Sequence, residues 1–169
     1  MTTTIVRVTL APRERQVVEG LADGSTLDAV AQNLKIRKGT AAGYLKFAKR
    51  KLYGVSENAA ALAVAYAAQA ITRPELLEAE ALDLPREQRA LVPLIARGMT
   101  AAQMATELKK SSRRRPVGPV STGMPSVDIV RRNSRALMVS LEARNPAHVI
   151  TRAWQYQILT ADQVTAWLR

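Results

Sequence analysis

The chain states one pattern of residues twice, and this repetition restricts its fold more than any other feature. Leu10 to Leu34 and Leu84 to Leu108 run in register at an offset of 74 residues. Val17-Val18 falls on Leu91-Val92, Gly24 on Gly98, Thr26 on Thr100, Val30-Ala31 on Met104-Ala105, and Leu34 on Leu108. The match then breaks and resumes at an offset of 89, where Ala41, Leu45, Ala48 and Leu52 fall on Val130, Ser134, Leu137 and Leu141. The difference is 15 residues, the length of the stretch Ser111 to Pro125. A short helix, a turn and a basic helix, stated twice, point to a chain that meets its partner at two places.

The spacing within each copy is helical. Val17, Val18, Leu21 and Ala22 line one face of a helix near 13–22, with Pro12 at its start, where no N–H is needed. Asp23-Gly24-Ser25 stops it. Thr26 suits an N-cap for a second helix in which Leu27, Val30, Ala31 and Leu34 share a face. A third helix near 38–52 buries Ala41, Leu45, Ala48 and Leu52 and turns Lys46, Lys49 and Arg50 outward. A fourth, near 57–71, is nearly all Ala, Leu and Val, and such small side chains let another helix approach closely. The second copy predicts helices near 86–97, near 101–110 with Thr100 as cap, through Val130 to Leu141, and near 146–158. A short fifth helix near 161–168 is capped by Thr160, and Ile5 to Leu10 reads as extended.

Between the copies, Pro74 to Asp83 carries Glu75, Glu78, Glu80 and Asp83, lacks Gly and Ser, and reads as a helical linker. Ser111 to Pro125, with Arg113-Arg114-Arg115, three prolines and two glycines, reads as an irregular loop. The expected architecture is all-α. A four-helix unit over 1–73 and another over 84–169 are joined by the acidic linker 74–83, and the second unit carries a basic insertion at about 111–125.

Net charge is +11, which favours a polyanionic partner, nucleic acid or an acidic membrane surface. Residues 1–83 hold 11 Lys and Arg against 9 Asp and Glu, whereas residues 84–169 hold 14 against 5, so the second half should supply more of the attraction. No apolar run approaches the ~18 residues of a membrane span, and Met1-Thr2-Thr3-Thr4 lacks the basic and apolar regions of a signal peptide. The expected location is the cytoplasm, on the nucleoid. Cysteine is absent, which removes disulfides and thiolate metal sites. His148 is the only histidine, and no grouping of nucleophile and base is apparent. Neither an enzyme nor a metal or cofactor site is expected.

These residues resemble the LuxR/GerE-type helix-turn-helix proteins. The first copy carries the pattern in Leu10-Ala11-Pro12-Arg13-Glu14, Ala22-Asp23-Gly24, Val30-Ala31, Leu34, Ile36, Thr40, and Lys51-Leu52 followed by Gly54-Val55-Ser56. The second is similar from Leu84 through Leu108, in Ser126 to Asn133, and in Leu141 to Val149. The resemblance implies two tandem units whose third helix enters the DNA major groove and whose fourth helix pairs units. Sequence-specific binding of double-stranded DNA and regulation of transcription follow from it. Ala42 and Gly43 stand where the family usually places a basic and a bulky residue, Tyr53 is an extra residue before Gly54, and the insertion splits the turn of the second unit.

Each candidate contact has a chemistry. Arg131, Arg132 and Arg135 fall on one face opposite Val130 and Leu137, and an arginine near the start of a groove helix can donate two hydrogen bonds to guanine. Lys46, Lys49 and Arg50 suit phosphates, as do Lys38 and Thr40 at the helix start. Ala42 and Gly43 offer a methyl group and bare backbone, open to thymine methyls. Arg113, Arg114 and Arg115 form either an arm for the minor groove or backbone, or a tolerated insertion. If 57–71 packs on 146–158, a monomer imitates the family's dimer. A homodimer, or separated units on a direct repeat, are the other arrangements. The rival reading is a protein-interaction regulator whose units have decayed and bind RNA polymerase, a sigma factor or another regulator. RNA is a third partner, disfavoured by the scarcity of stacking aromatics.

Overall fold

Two threonines start helices in the same way. Thr26 Oγ1 accepts from Ala29 N at 3.2 Å, and Thr100 Oγ1 accepts from Gln103 N at 3.3 Å. Each follows a glycine in the left-handed region, Gly24 at φ 84° and Gly98 at φ 75°, where a side chain is strained. The repeat is therefore present in backbone geometry as well as in residue type. The computed structural model describes residues 6–78, 82–114 and 126–168.

In the first half, α1 (Pro12–Gly20), α2 (Leu27–Leu34) and α3 (Lys38–Lys51) pack on one another through Val17, Val18, Val30, Ala41, Leu45 and Ala48. α4 (Asn58–Ala67) follows. In the second half the order is α5 (Arg86–Arg89), α6 (Val92–Ala96), α7 (Ala101–Arg114), α8 (Val127–Ser140), α9 (Pro146–Gln155) and α10 (Ala161–Trp167). Among the described residues the structure is helical and holds no strand. α3 and α8 start and stop 89 residues apart, and each ends on a buried leucine, Leu52 or Leu141. Tyr53 and Glu142, the residues that follow, are both left-handed, at φ 62° and 52°. Within this chain Tyr53 is thus no surplus residue; it has its counterpart in the other half.

A second shared feature joins the first helix of each half to the third. Lys51 Nζ meets Glu14 Oε1 at 2.6 Å, and Ser140 Oγ donates to Gln88 Oε1 at 2.9 Å. Gln88 stands at the position of Glu14, and Ser140 at that of Lys51. The link is charged in one half and neutral in the other, and in neither half is a partner left unpaired.

Three expectations are corrected. The helix read over 86–97 is two pieces, because Pro93 has no N–H to give the carbonyl of Arg89 and its ring crowds that turn. The linker read as helical over 74–83 carries no helix at its described residues, 74–78 and 82–83, and Leu77 N donates to Gln155 O at 2.8 Å, docking this stretch on the end of α9. Pro74 holds the residue before it out of the helical region, and a ten-residue helix has little stability of its own. The loop read from Ser111 begins later, since α7 runs on to Arg114. In the first half Lys35 turns left-handed at φ 57° and Ile36 N closes the helix on Ala31 O at 3.0 Å, with the Ile36 side chain packed on the core. Lys110 stands in place of Ile36, offers no apolar contact to seal such a stop, and the helix continues.

The halves meet through α4 and α9, which lie side by side. Ala59 to Ala67 are all buried, so α4 is surrounded: α6 and α10 cover it as well as α9. At this junction Tyr66 and Thr151 share a buried hydrogen bond of 2.9 Å, and the Tyr66 and Trp154 rings lie 5.5 Å apart. Each glycine turn abuts the fourth helix of the other half. A Cβ on Gly24 would lie 3.0 Å from Arg144 Cβ and 3.1 Å from His148 Cβ, at the start of α9. One on Gly98 would lie 3.0 Å from Glu57 Cβ, at the start of α4.

Candidate nucleic-acid interface

The turn Lys35–Arg37 delivers α3 across α1 and α2 with Ala41, Leu45 and Ala48 facing inward. The same rotation turns Lys38, Thr40, Ala42, Lys46 and Arg50 outward, all exposed, with Gly43 half-buried between them. No acidic residue lies between Lys35 and Lys51. Arg50 is held over the Phe47 ring at 5.8 Å, and Phe47 itself is exposed. Lys38 Nζ lies 3.1 Å from Asp28 Oδ2, an exposed pair that solvent weakens. A hollow of about 380 Å³ opens beside this face, edged by Ala42, Lys46, Lys49, Arg50 and Ser56.

Lys49 is placed apart from its neighbours. It is half-buried, and its Nζ donates to Ser56 O at 2.7 Å, tying α3 to the approach to α4. Burial lowers its pKa, against the attraction of Glu57. Periodicity alone put Lys49 on the outer face with Lys46; it lies at the border of that face, turned towards the other half.

On α8, Val130 and Leu137 are buried while Arg131, Arg132 and Arg135 are exposed. Arg131 Nη1 is 3.9 Å from Asp128 Oδ1, with both groups open to solvent. The three arginines do not share one surroundings. Arg131 and Arg135 edge a cavity of about 610 Å³ between the starts of α4 and α9, and Arg132 does not. Asn133 is half-buried. Arg113 is exposed near the end of α7, Arg114 is its last residue, and Arg115 lies outside the described residues.

The cavity is what sequence reasoning missed. One signal was present: Ser134 occupies the repeat position of Leu45, a polar residue where the other half places a core leucine. Its hydroxyl oxygen is buried with no hydrogen-bond partner among the described residues.

The described residues contain no group of three or more His, Cys, Asp or Glu arranged to hold a metal ion. No helix among them is long and apolar enough to cross a membrane. His148 contributes to packing: it accepts from Arg144 N through Nδ1 at 3.1 Å, beside Gly24. Its pKa is lowered by burial first and then by Arg152 and Arg144, with Asp23 opposing them. Compared with models of protein families, with curated proteins and with solved structures, the chain finds no match.

Proposed function

We propose that the chain binds double-stranded DNA at two unequal places and regulates transcription, its halves acting as LuxR-like helix-turn-helix units. One observation carries this reading. α3 is a basic helix presented by a three-residue turn, with Lys38, Thr40, Ala42, Lys46 and Arg50 exposed together and no carboxylate among them. Such a helix fits the major groove, its lysines and arginine on phosphates and its small residues against base edges. α8 stands at the matching position and presents Arg132, Arg131 and Arg135, whose forks suit guanine.

The packing of α4 on α9 supports a single chain standing in for the family's dimer. The target is then asymmetric, with the first half positioning and the second reading. Joining two weak halves makes the second contact intramolecular and raises the overall affinity. One feature favours the protein-interaction reading for the second half: α7 continues through the place where the first half turns, so α8 is not delivered by a tight turn. In that reading the exposed end of α7 meets RNA polymerase or another regulator.

Selection from a random library of DNA duplexes tests the proposal. Retained duplexes should share an asymmetric motif. Affinity should fall about a thousand-fold or more between ~50 and ~200 mM salt if roughly 6–10 phosphates are neutralised. Arg132→Ala should relax preference at one position, and Lys46→Ala should weaken all sequences alike. A library that is not retained at low salt would sink the DNA reading and leave the interaction module.

A further inference from the structure

We infer that the cavity between the two halves is a binding site for a small organic anion with an apolar body. Its volume, about 610 Å³, lies within the range of small-molecule pockets. One wall is apolar and adaptable, built from Met99, Met104 and Met138 with Ile95 and Val149. The lining is also cationic: Lys49, Arg131 and Arg135 border the space against one carboxylate, Glu57. The start of α4 also borders the space, and Glu57, its N-cap residue, gives no side-chain acceptor to the first-turn N–H groups. A helix start in that condition favours negative charge.

The independent observation is Ser134. Ser134 lines this same cavity, and its hydroxyl oxygen is buried with no partner among the described residues. A buried hydroxyl without a hydrogen bond costs on the order of 1–3 kcal/mol; turned into the cavity by rotation about χ1, it would donate to an oxygen of an anionic head group. The ligand class follows from these two kinds of lining: an aliphatic body of several carbons against the methionines, and a carboxylate or phosphate head held by the arginines, Ser134 and the start of α4.

The cavity is bordered by Lys49 and Ser56 to Ala59 of the first half and by α7, α8 and the start of α9 of the second, so a ligand touches both. Arg131 and Arg135 are also groups offered above to DNA. Occupation neutralises and engages them, so the ligand antagonises DNA binding; this last step rests on the proposed function.

Calorimetry on the full chain without DNA tests the site, with octanoate, octyl phosphate, octanol and inorganic phosphate as probes. The expected result is saturable binding of octanoate or octyl phosphate, at least ten-fold tighter than octanol and inorganic phosphate. Ser134→Leu fills the space with the side chain Leu45 supplies in the other half. It should abolish binding while the helical content and melting temperature are kept. Arg135→Gln keeps the cavity and should weaken the anions alone. Equal binding of octanol and octanoate, binding undiminished in both variants, or no saturable binding of any probe overturns the site. Repeating the DNA titration with saturating octanoate should lower affinity at least ten-fold. Unchanged DNA affinity with octanoate bound overturns the antagonism and leaves the site. Absence of DNA binding in the ligand-free protein overturns the proposed function, and calorimetry still decides the site.

Discussion

Glu14 is a buried carboxylate held by one lysine, Lys51, at 2.6 and 2.9 Å, and the other half meets the same need with Gln88 and Ser140. Removing Lys51 alone strands the carboxylate, so Lys51→Ser should cost roughly 1–3 kcal/mol in urea unfolding. Glu14→Gln combined with Lys51→Ser copies the neutral pair and should recover most of that loss. A double variant as unstable as the single one would show that the two links are not equivalent. His148 makes the second prediction at this scale. Its lowered folded pKa means that the unfolded chain binds the proton more readily. The contribution to stability is therefore full above the unfolded value, about 6.5, and is lost as pH falls through the folded value. The wild-type melting temperature should decline on acidification across this window. His148→Gln should flatten the decline, and an equal slope in both proteins would exclude His148 as its source.

α3 is the element on which the proposed function depends, and two glycines weaken it. Nothing lies within 4 Å of a Cβ built on Gly39 or Gly43, so neither glycine is required by packing. Gly43→Ala should therefore stabilise the chain by ~0.5–1 kcal/mol, the ordinary helix preference for Ala. If Gly43 faces the groove, the same methyl should weaken DNA binding. Thermal melting and DNA titration of this one variant then move in opposite directions; a gain in both would take Gly43 away from the contact. α7 shows the opposite trade. Replacing the apolar stop residue Ile36 by Lys110 lets the second helix run on past the turn position. Six residues, Lys109 to Arg114, are added to the helix in this way.

For the whole molecule, the decisive contact is α4 with α9. α4 has no exposed face over Ala59 to Ala67, and the helices that pack most closely on it, α6, α9 and α10, come from the second half. A chain cut to residues 1–73 would expose Leu62, Val64 and Tyr66 to water, and each large apolar side chain uncovered costs ~1.5–3 kcal/mol. The fragment should lack a cooperative thermal transition by circular dichroism, or gain one only on self-association seen by sedimentation. Cooperative melting as a monomer would mean that the halves are independent. The exchanged turns at Gly24 and Gly98 act in the same direction, since each half closes on the other.

Helix positions, caps and basic faces were legible along the chain because they depend on neighbours three to four residues apart. Thr26, Thr100 and Thr160 cap as read, and α3 and α8 keep their 89-residue offset. Two local signals were present and outweighed: Pro93, which divides a helix, and Pro74, which opens a stretch without helix at 74–78. The cavity and the surroundings of Lys49, Arg131 and Arg135 were not legible, because they arise where α4, α7, α8 and α9 converge from distant parts of the chain. Periodicity assigns a side chain to a face of its own helix. What stands opposite that face is set by how apolar surfaces from both halves are buried together, and only the tertiary structure decided that.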